Sequence, residues 1–139
     1  MRNINLESYL KSELKDNNEE NDELASVIKS IADATKLIAM DTRVTGLKQI
    51  RGSLDKTNVQ GEQVQILDQI SNDKLVDILA KNSSCAGYAS EELKDPKIFN
   101  SSARFMVVAD PLDGSSNISV NMPIGTIFGI IRNTDYGKS

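Results

Sequence analysis

Two short apolar runs in the second half of the chain constrain its fold more strongly than any other feature. They span residues 103–109 (ARFMVVA) and 126–131 (TIFGII), and turn-forming residues bound each of them. Continuous apolar runs of this length are typical of strands that are buried on both faces. A third segment with strand character, residues 85–89, lies before them. The second half of the chain is therefore predicted to supply strands of a buried sheet.

Two amphipathic helices are predicted ahead of these strands. The first spans about residues 22–41, where apolar residues recur at helical spacing behind an acidic start. The second spans about residues 64–79, and the polar trio 71–73 inside it favours a kink or a break. Helices first and strands later indicate an α+β or a layered α/β/α architecture.

The segments outside these two helices are polar. Residues 15–23 (KDNNEENDE) are predicted as a loop or as the exposed cap of the first helix, and residues 46–61 as a connector. We expect residues 1–21 to form a partly flexible N-terminal segment. Residues 22–139 are expected to belong to one domain, since a chain of 139 residues suits a single core.

The composition excludes several kinds of site. The chain has no histidine and one cysteine, Cys85, so it alone supplies no Ser-His-Asp triad, histidine-ligated metal or internal disulfide. Its 20 acidic residues outnumber 16 basic ones, and no cluster of cations favours a nucleic-acid partner. No apolar run is long enough to span a membrane, and the N-terminus lacks a signal peptide, so we expect a cytoplasmic protein.

Six acidic residues are the first candidates for chemistry: Asp68, Asp73, Glu91, Glu92, Asp110 and Asp113. Asp110 follows a buried-type strand, so its carboxylate is expected at the strand tip, where α/β sheets place their sites. Pro111 turns the chain there and can aim the Leu112 carbonyl at the same place. Carboxylates with a backbone carbonyl are the hard oxygen ligands that Mg²⁺ and Mn²⁺ prefer.

Small residues follow at 114–117 (GSSN), where free backbone N–H groups are expected to form a nest for an anion such as phosphate, with Asn117 orienting it. The same residue types are also typical of a simple turn. For Glu91 and Glu92 the alternative is a solvated surface, and for Asp68 and Asp73 an ordinary polar position on a helix. The residue types by themselves leave both interpretations open.

Four motifs in the chain resemble those of the class I fructose-1,6-bisphosphatases. They are SND at 71–73, SEE at 90–92, DPLDGSSN at 110–117 and GTIFGI at 125–130, and they occur in the family's order. DPxDGxxN with an upstream Glu-Glu pair is shared by the wider lithium-sensitive, metal-dependent sugar phosphatases. The Ser-Ser variant followed by GTIFGI is more specific to the bisphosphatases. The resemblance implies the layered α/β/α sugar-phosphatase fold, of which this chain would be the N-terminal half.

The resemblance also implies roles for the acidic residues and for the segment after them. The positions that match the family's metal ligands are Glu91, Asp110, the Leu112 carbonyl and Asp113, with Asp68 at an additional metal position. Asp73 and Glu92 match the pair that accepts the proton of the attacking water. The segment whose amides hold the departing phosphate is matched by Gly114, Ser115, Ser116 and Asn117. Mg²⁺ is the implied cofactor, with Mn²⁺ or Zn²⁺ as substitutes.

A site for the nucleotide effector AMP is implied at the start of the first helix. Its positions here are Asp22, Glu23, Leu24, Ala25 and Ser26, together with Arg104 and Phe105. Backbone N–H groups at such a helix end bind phosphate. The chain departs from better-known members at Asn21 and Ala25, where they have hydroxyl residues, and at 104–105, which align with a Lys-Tyr pair.

The implied activity is hydrolysis of the 1-phosphate of fructose 1,6-bisphosphate by a homotetramer, in gluconeogenesis or related carbon metabolism. A sedoheptulose bisphosphatase, or another phosphatase with DPxDGxxN, is the alternative among enzymes. A non-catalytic truncated subunit or binding module is the alternative outside them. The family is considerably longer, and its C-terminal half supplies a further metal ligand and the sugar-binding residues. We therefore expect this chain to be a fragment that is inactive alone.

Overall fold

In a computed structural model, which describes residues 4–16, 18–52, 57–120 and 122–134, helices lead and strands follow. The helices are α1 (Leu6–Glu13), α2 (Glu19–Gly52) and α3 (Thr57–Leu79). The strands are β1 (Cys85–Ser90), β2 (Lys97–Ile98), β3 (Phe105–Asp113) and β4 (Gly125–Arg132), with a 3-10 helix at Ser115–Val120. Among the residues described, no helix combines the length and the apolar character needed to cross a bilayer.

The N-terminal region contains more helix than its polar composition predicts. Helix α1 forms within the segment expected to be partly flexible, and the Asn5 side chain caps it by accepting a bond from the Ser8 amide. Helix α2 begins at Glu19, three residues earlier than predicted, because the Asn18 side chain accepts a 2.9 Å bond from the Asn21 amide. The acidic first turn then lies at the favourable end of the helix dipole.

Helix α3 is continuous through Ser71–Asn72, so the predicted break is wrong. Both side chains are buried. The side-chain oxygen of Asn72 accepts a hydrogen bond from Ser90 of the strand region, so this side chain does not compete for the helix backbone. The predicted connector at 46–61 is also shorter: its first part belongs to α2 and its last part to α3, while residues 53–56 lie outside the described residues.

The described strands form one mixed sheet in the order β2-β1-β3-β4. Strands β1 and β3 are parallel, and the other two pairings are antiparallel. The predictions of β1, β3 and β4 are confirmed, with β3 extending to Asp113. The antiparallel edge strand β2 was not predicted, because two residues are too few to show a periodic pattern.

One face of the sheet packs against α2 and α3. The buried apolar residues that share this core are Val27, Ile31, Ala34, Ile38, Leu67, Leu75, Leu79, Cys85, Tyr88, Phe105, Val107 and Leu112. Burying each large aliphatic side chain contributes about 1.5–3 kcal/mol. This apolar packing, set by the helical spacing in α2 and α3, fixes the sheet against the helices and so places the ends of β1 and β3.

The other side of the sheet carries exposed apolar residues. Ile127 and Ile131 on β4 are 58% and 53% exposed, and Ile98 and Val108 are exposed as well. The prediction that the apolar runs are buried on both faces is therefore wrong for β4 within the described residues. The α/β architecture is confirmed, with its helical layer on the opposite face.

Three glutamates at the start of α2 are paired with two arginines of the sheet region. Arg104 Nε donates to Glu23, and its guanidinium is 3.8 Å from Glu19. Arg132, the last residue of β4, is 2.6 Å from Glu20. These pairs fasten the first turns of α2 to the sheet.

Candidate functional site

Glu91 and Asp110 meet where the parallel pairing of β1 and β3 ends. Ser90 of β1 is in register with Ala109 of β3, so the residues that follow them emerge at the same edge. The Glu91 carboxyl lies within hydrogen-bonding range of Asp110, and the negative charge of Asp110 is the main cause that raises the pKa of Glu91. The prediction that Asp110 follows the strand is wrong, because β3 continues to Asp113, but Asp110 does lie just past the last residue of β3 that pairs with β1, next to a second carboxylate.

Asp68 and Glu92 complete this acidic group, which we define as Asp68, Glu91, Glu92 and Asp110. Burial raises the pKa of Glu92, and the charges of Asp68 and Asp110 raise it further. Burial also raises the pKa of Asp68, whereas the Ser115 hydroxyl, which donates a 3.3 Å bond to Asp68 Oδ2, lowers it. Within the described residues, no lysine or arginine forms an ion pair with any member of the acidic group.

The chemistry of the acidic group suits a divalent cation. Its donors are hard oxygens, and its like charges raise one another's pKa, so a bound cation would relieve the repulsion. In the part of the chain that the structure describes, no three of these carboxylates converge closely enough to form a ready-made metal cage. The fold therefore brings carboxylates from α3, β3 and the residues after β1 near one another without a preformed cage.

The other two predicted acidic residues, Asp73 and Asp113, are both exposed. Asp73 is exposed on α3 and accepts a 3.0 Å bond from Gln69 Nε2. Asp113 is exposed at the end of β3, where it is in register with Gly125. Leu112 is buried, and its amide donates a 3.0 Å bond to Asp110 Oδ1, which holds the Asp110 carboxylate against the turn.

The segment after Asp113 is more than a simple turn. Gly114 adopts a φ of 75°, which favours glycine, and the 3-10 helix follows directly. The Asn117 amide donates a 2.8 Å bond to the Gly114 carbonyl, and its side chain donates a 3.1 Å bond to the Pro123 carbonyl. Asn117 thereby joins Gly114 to Pro123. The Ser115 bond to Asp68 brings the start of the 3-10 helix next to the acidic group.

An open groove of about 470 Å³ extends from the acidic group along the sheet. Glu91 and Asp110 line its polar end, and Val108, Ile127 and Phe128 line its apolar side. The groove connects the candidate site to the exposed side of β4.

Sequence reasoning did not identify the polar residues beneath the acidic group. Asn72 and Ser90 are joined by a 2.7 Å hydrogen bond, and the Thr126 hydroxyl donates a 2.9 Å bond to the Pro111 carbonyl. One signal was present for Asn72, since it interrupts an apolar helix in a place where a surface residue is not expected. Ser90 lies in the SEE motif and Thr126 in the GTIFGI motif, but nothing in the sequence indicated which residues they contact.

The predicted effector residues divide between two places. Asp22, Ala25 and Ser26 line a cleft of about 640 Å³ between α1 and α2, together with Lys11 and Lys29. Because α2 begins at Glu19, these residues lie within the helix and not at its N-terminal end. The backbone amide of Asp22 already donates to the Asn18 carbonyl.

The remaining effector residues face away from that cleft. Glu23 and Arg104 are bonded to each other, Leu24 packs against the core, and Phe105 is buried within it. The set that the resemblance implies is therefore not one continuous surface in this structure.

The chain matches the family model described as "Fructose-1-6-bisphosphatase, N-terminal domain" over residues 6–139. Among curated relatives, the class 1 fructose-1,6-bisphosphatase of Psychrobacter cryohalolentis is 48% identical over 83% of this chain and 35% of its own length. That of Acinetobacter baumannii (strain ATCC 17978) is 44% identical over 94% of this chain and 40% of its own length. The chain thus spans between a third and two fifths of these relatives.

A solved structure gives the same result at lower identity. The crystal structure of Leishmania major fructose-1,6-bisphosphatase in its holo form matches 93% of this chain and 38% of that chain, with a TM-score of 0.71 and 27% identity. The family match covers the four motifs, the acidic group and the segment after it. The chain belongs to the fructose-1,6-bisphosphatase family and corresponds to its N-terminal domain.

Proposed function

We propose that this chain is the N-terminal part of an enzyme that hydrolyses the 1-phosphate of fructose 1,6-bisphosphate, giving fructose 6-phosphate and phosphate. One observation carries the proposal: in a chain of this family, the acidic group lies beside the 114–117 segment, with Ser115 bonded to Asp68. Carboxylates next to a segment of small residues suit metal-assisted phosphoryl transfer to water.

The proposal gives the carboxylates the task of holding a divalent cation. The proposed donors are Glu91, Asp110, Asp113, the Leu112 carbonyl and, at a further position, Asp68. Magnesium is the proposed metal, with manganese or zinc as substitutes; when bound, it lowers the pKa of water and offsets charge on the phosphoryl oxygens. The Leu112 amide restrains Asp110 through its bond to Oδ1, and Ser115 restrains Asp68.

Glu92 and Asp73 are the proposed acceptors of the proton from the attacking water. The raised pKa of Glu92 supports this role, because a general base works best with a pKa closer to the working pH. The segment of Gly114, Ser115, Ser116 and Asn117 is proposed to hold the departing phosphate. Its first three residues offer backbone N–H groups, which the positive φ of Gly114 helps to orient, and Asn117 orders the segment through its bond to the Gly114 carbonyl.

The proposed enzyme is a cytoplasmic homotetramer with a sugar bisphosphate substrate. We do not propose that it binds AMP, because Glu23 and Arg104 are bonded to each other, whereas Asp22, Ala25 and Ser26 line a separate cleft.

A chimera tests the proposal. Residues 1–139 are joined to the C-terminal part of the Psychrobacter cryohalolentis relative, which is 48% identical over the matched region. We expect phosphate release from fructose 1,6-bisphosphate with Mg²⁺, and no release from the 139-residue chain alone. Asp110→Asn and Asp113→Ala should each lower kcat/KM at least about 100-fold, whereas Asp77→Asn, an exposed change on α3, should not.

Two results would contradict the proposal. Full Mg²⁺-dependent activity in the Asp113→Ala chimera would show that the donor set is wrong. A preference for sedoheptulose 1,7-bisphosphate in a competition assay would show that the substrate is wrong while the chemistry stands.

A further inference from the structure

A buried amide on α3 is linked to the acidic group through one serine. Asn72 is 0% exposed, and its Oδ1 accepts a 2.7 Å bond from the Ser90 hydroxyl, at the end of β1. The Ser90 oxygen in turn accepts a 3.2 Å bond from the Glu92 amide. Since a serine hydroxyl can donate and accept at once, the three groups form a continuous chain from helix to loop.

The position of Asn72 on α3 relates it to the same group by a second route. Asn72 follows Asp68 by four residues, so both project from one side of the helix. Asp68 contributes a carboxylate to the acidic group, and Asn72 holds the main chain that carries Glu91 and Glu92. Helix α3 therefore restrains the group at two points, one turn apart.

Packing by itself does not require an amide at position 72. Within the described residues, Asn72 Nδ2 is buried without a hydrogen-bond partner, and so is the Tyr88 hydroxyl. An apolar side chain of similar volume would avoid the unpaired nitrogen. What the amide supplies is a neutral acceptor for Ser90, which an aspartate could replace only by adding charge beneath four carboxylates.

We propose that Asn72 is a positioning residue for the site: through Ser90 it fixes the main chain at Glu91–Glu92 and so aims both carboxylates. This inference rests on the proposed function. Groups that orient a metal's direct ligands are often worth a factor of about 10–100 in metal affinity.

The test compares Asn72→Leu with the wild-type sequence, both in the chimera described above, in two measurements. Amide hydrogen exchange at Glu92 should become at least about tenfold faster, because its acceptor is no longer held. The affinity for Mn²⁺, measured from the electron paramagnetic resonance signal of the free ion, should fall about 10–100-fold. Asn82→Leu is the matched control, since Asn82 is another hydrogen-bonded asparagine, joined to Ser26 and Ser30 on α2.

Variants at Ser90 test the route of the effect. Ser90→Ala breaks the same chain from the strand side, so it should reproduce both changes, and the double variant should be no worse than either single one. Ser90→Thr keeps the hydroxyl and should restore at least half of the lost affinity, expressed as log Kd. If Asn72→Leu does not fold, Ser90→Ala and Ser90→Thr decide the question by themselves.

The outcomes separate the inference from the function on which it rests. If the wild type binds Mn²⁺ and the Asn72→Leu and Ser90→Ala variants bind it with the same affinity, the positioning role is overturned. The proposed function then stands. Unchanged Glu92 exchange in both variants also overturns it. No binding of Mn²⁺ by the wild-type chimera overturns the proposed metal site, and the positioning role with it.

Discussion

The Thr126 hydroxyl donates a 2.9 Å hydrogen bond to the Pro111 carbonyl at the point where the pairing of β3 and β4 is irregular. The register of the two strands shifts between Asp110 and Asp113. Proline has no backbone N–H to donate to the ladder. Its carbonyl here accepts a hydrogen bond from a side chain. Thr126 thereby secures the stretch that separates two proposed metal ligands.

Replacing Thr126 tests this arrangement. Thr126→Val keeps the shape and removes the donor, so we expect the free energy of unfolding to fall by about 1 kcal/mol. Thr126→Ser keeps the hydroxyl and should lose less. Urea unfolding of the two variants measures the difference, and equal stability of Val and Ser would show that the bond contributes nothing.

The ion pair between Arg104 and Glu23 should contribute measurably to stability. Both side chains are largely shielded from water, with Arg104 16% and Glu23 24% exposed. Arg104→Met keeps much of the apolar stem and removes the charge, so we expect a loss of about 1.5–3 kcal/mol in the free energy of unfolding. Glu23→Gln in the same background should add little, which a double-mutant cycle by urea unfolding will measure.

Arg132 provides the comparison for that result. Its side chain is 77% exposed where it contacts Glu20, and exposed pairs are worth about 0–1 kcal/mol. We expect Arg132→Met to cost less than Arg104→Met, and the effect to shrink in about 0.5 M salt because exposed charges are screened. A larger loss at Arg132 than at Arg104 would contradict the assignment of the stronger pair.

Gly87 should not tolerate a side chain. A Cβ there would lie 2.6 Å from the Lys97 carbonyl oxygen and 3.0 Å from Met106 Sδ, so edge strand β2 would have to move away from β1. We expect Gly87→Ala to lower the free energy of unfolding by about 1–3 kcal/mol. Gly125→Ala, where a Cβ meets nothing within 4 Å, is the control and should change stability by less than about 1 kcal/mol.

Stability should decline at alkaline pH because of two buried acids. Burial raises the pKa of Tyr88 from 10.0 to about 12, and burial also raises the pKa of the Cys85 thiol above 9.0. Between about pH 9 and 12 the unfolded chain therefore loses protons that the folded chain keeps, and unfolding becomes more favourable. Urea midpoints over this range should fall, and less steeply in Tyr88→Phe than in Tyr9→Phe, a change at an exposed tyrosine.

Helices α2 and α3 and three of the four described strands could be predicted because each carries its own local pattern, whereas α1 was not predicted. Residues from Val27 to Ile38 repeat at helical spacing, and the apolar runs of β3 and β4 are each evident from a few consecutive residues. The start of α2 was misplaced because Asn18 caps it with one side chain, a detail that a run of polar residues conceals. Strand β2 is specified by its pairing with β1 and has no pattern of its own.

The candidate site followed the same division. The apolar run before Asp110 predicted the strand that carries it, whereas the closeness of Glu91 depends on the parallel register of β1 and β3. Asn72 illustrates the limit most clearly. Its residue type predicts a break in the helix, and only its partner eighteen residues later explains why the helix continues.

The arginine–glutamate pairs also bear on the order in which the molecule folds. Arg104 and Arg132 contact α2 across separations of 81 and 112 residues, whereas the pairing of β3 with β4 joins near neighbours. Closing so long a span costs chain entropy before the contact is gained, so the hairpin and the helices can form first. Contacts made late hold the native state without assisting the transition state. The pairs between α2 and the sheet should therefore slow unfolding while leaving the folding rate nearly unchanged.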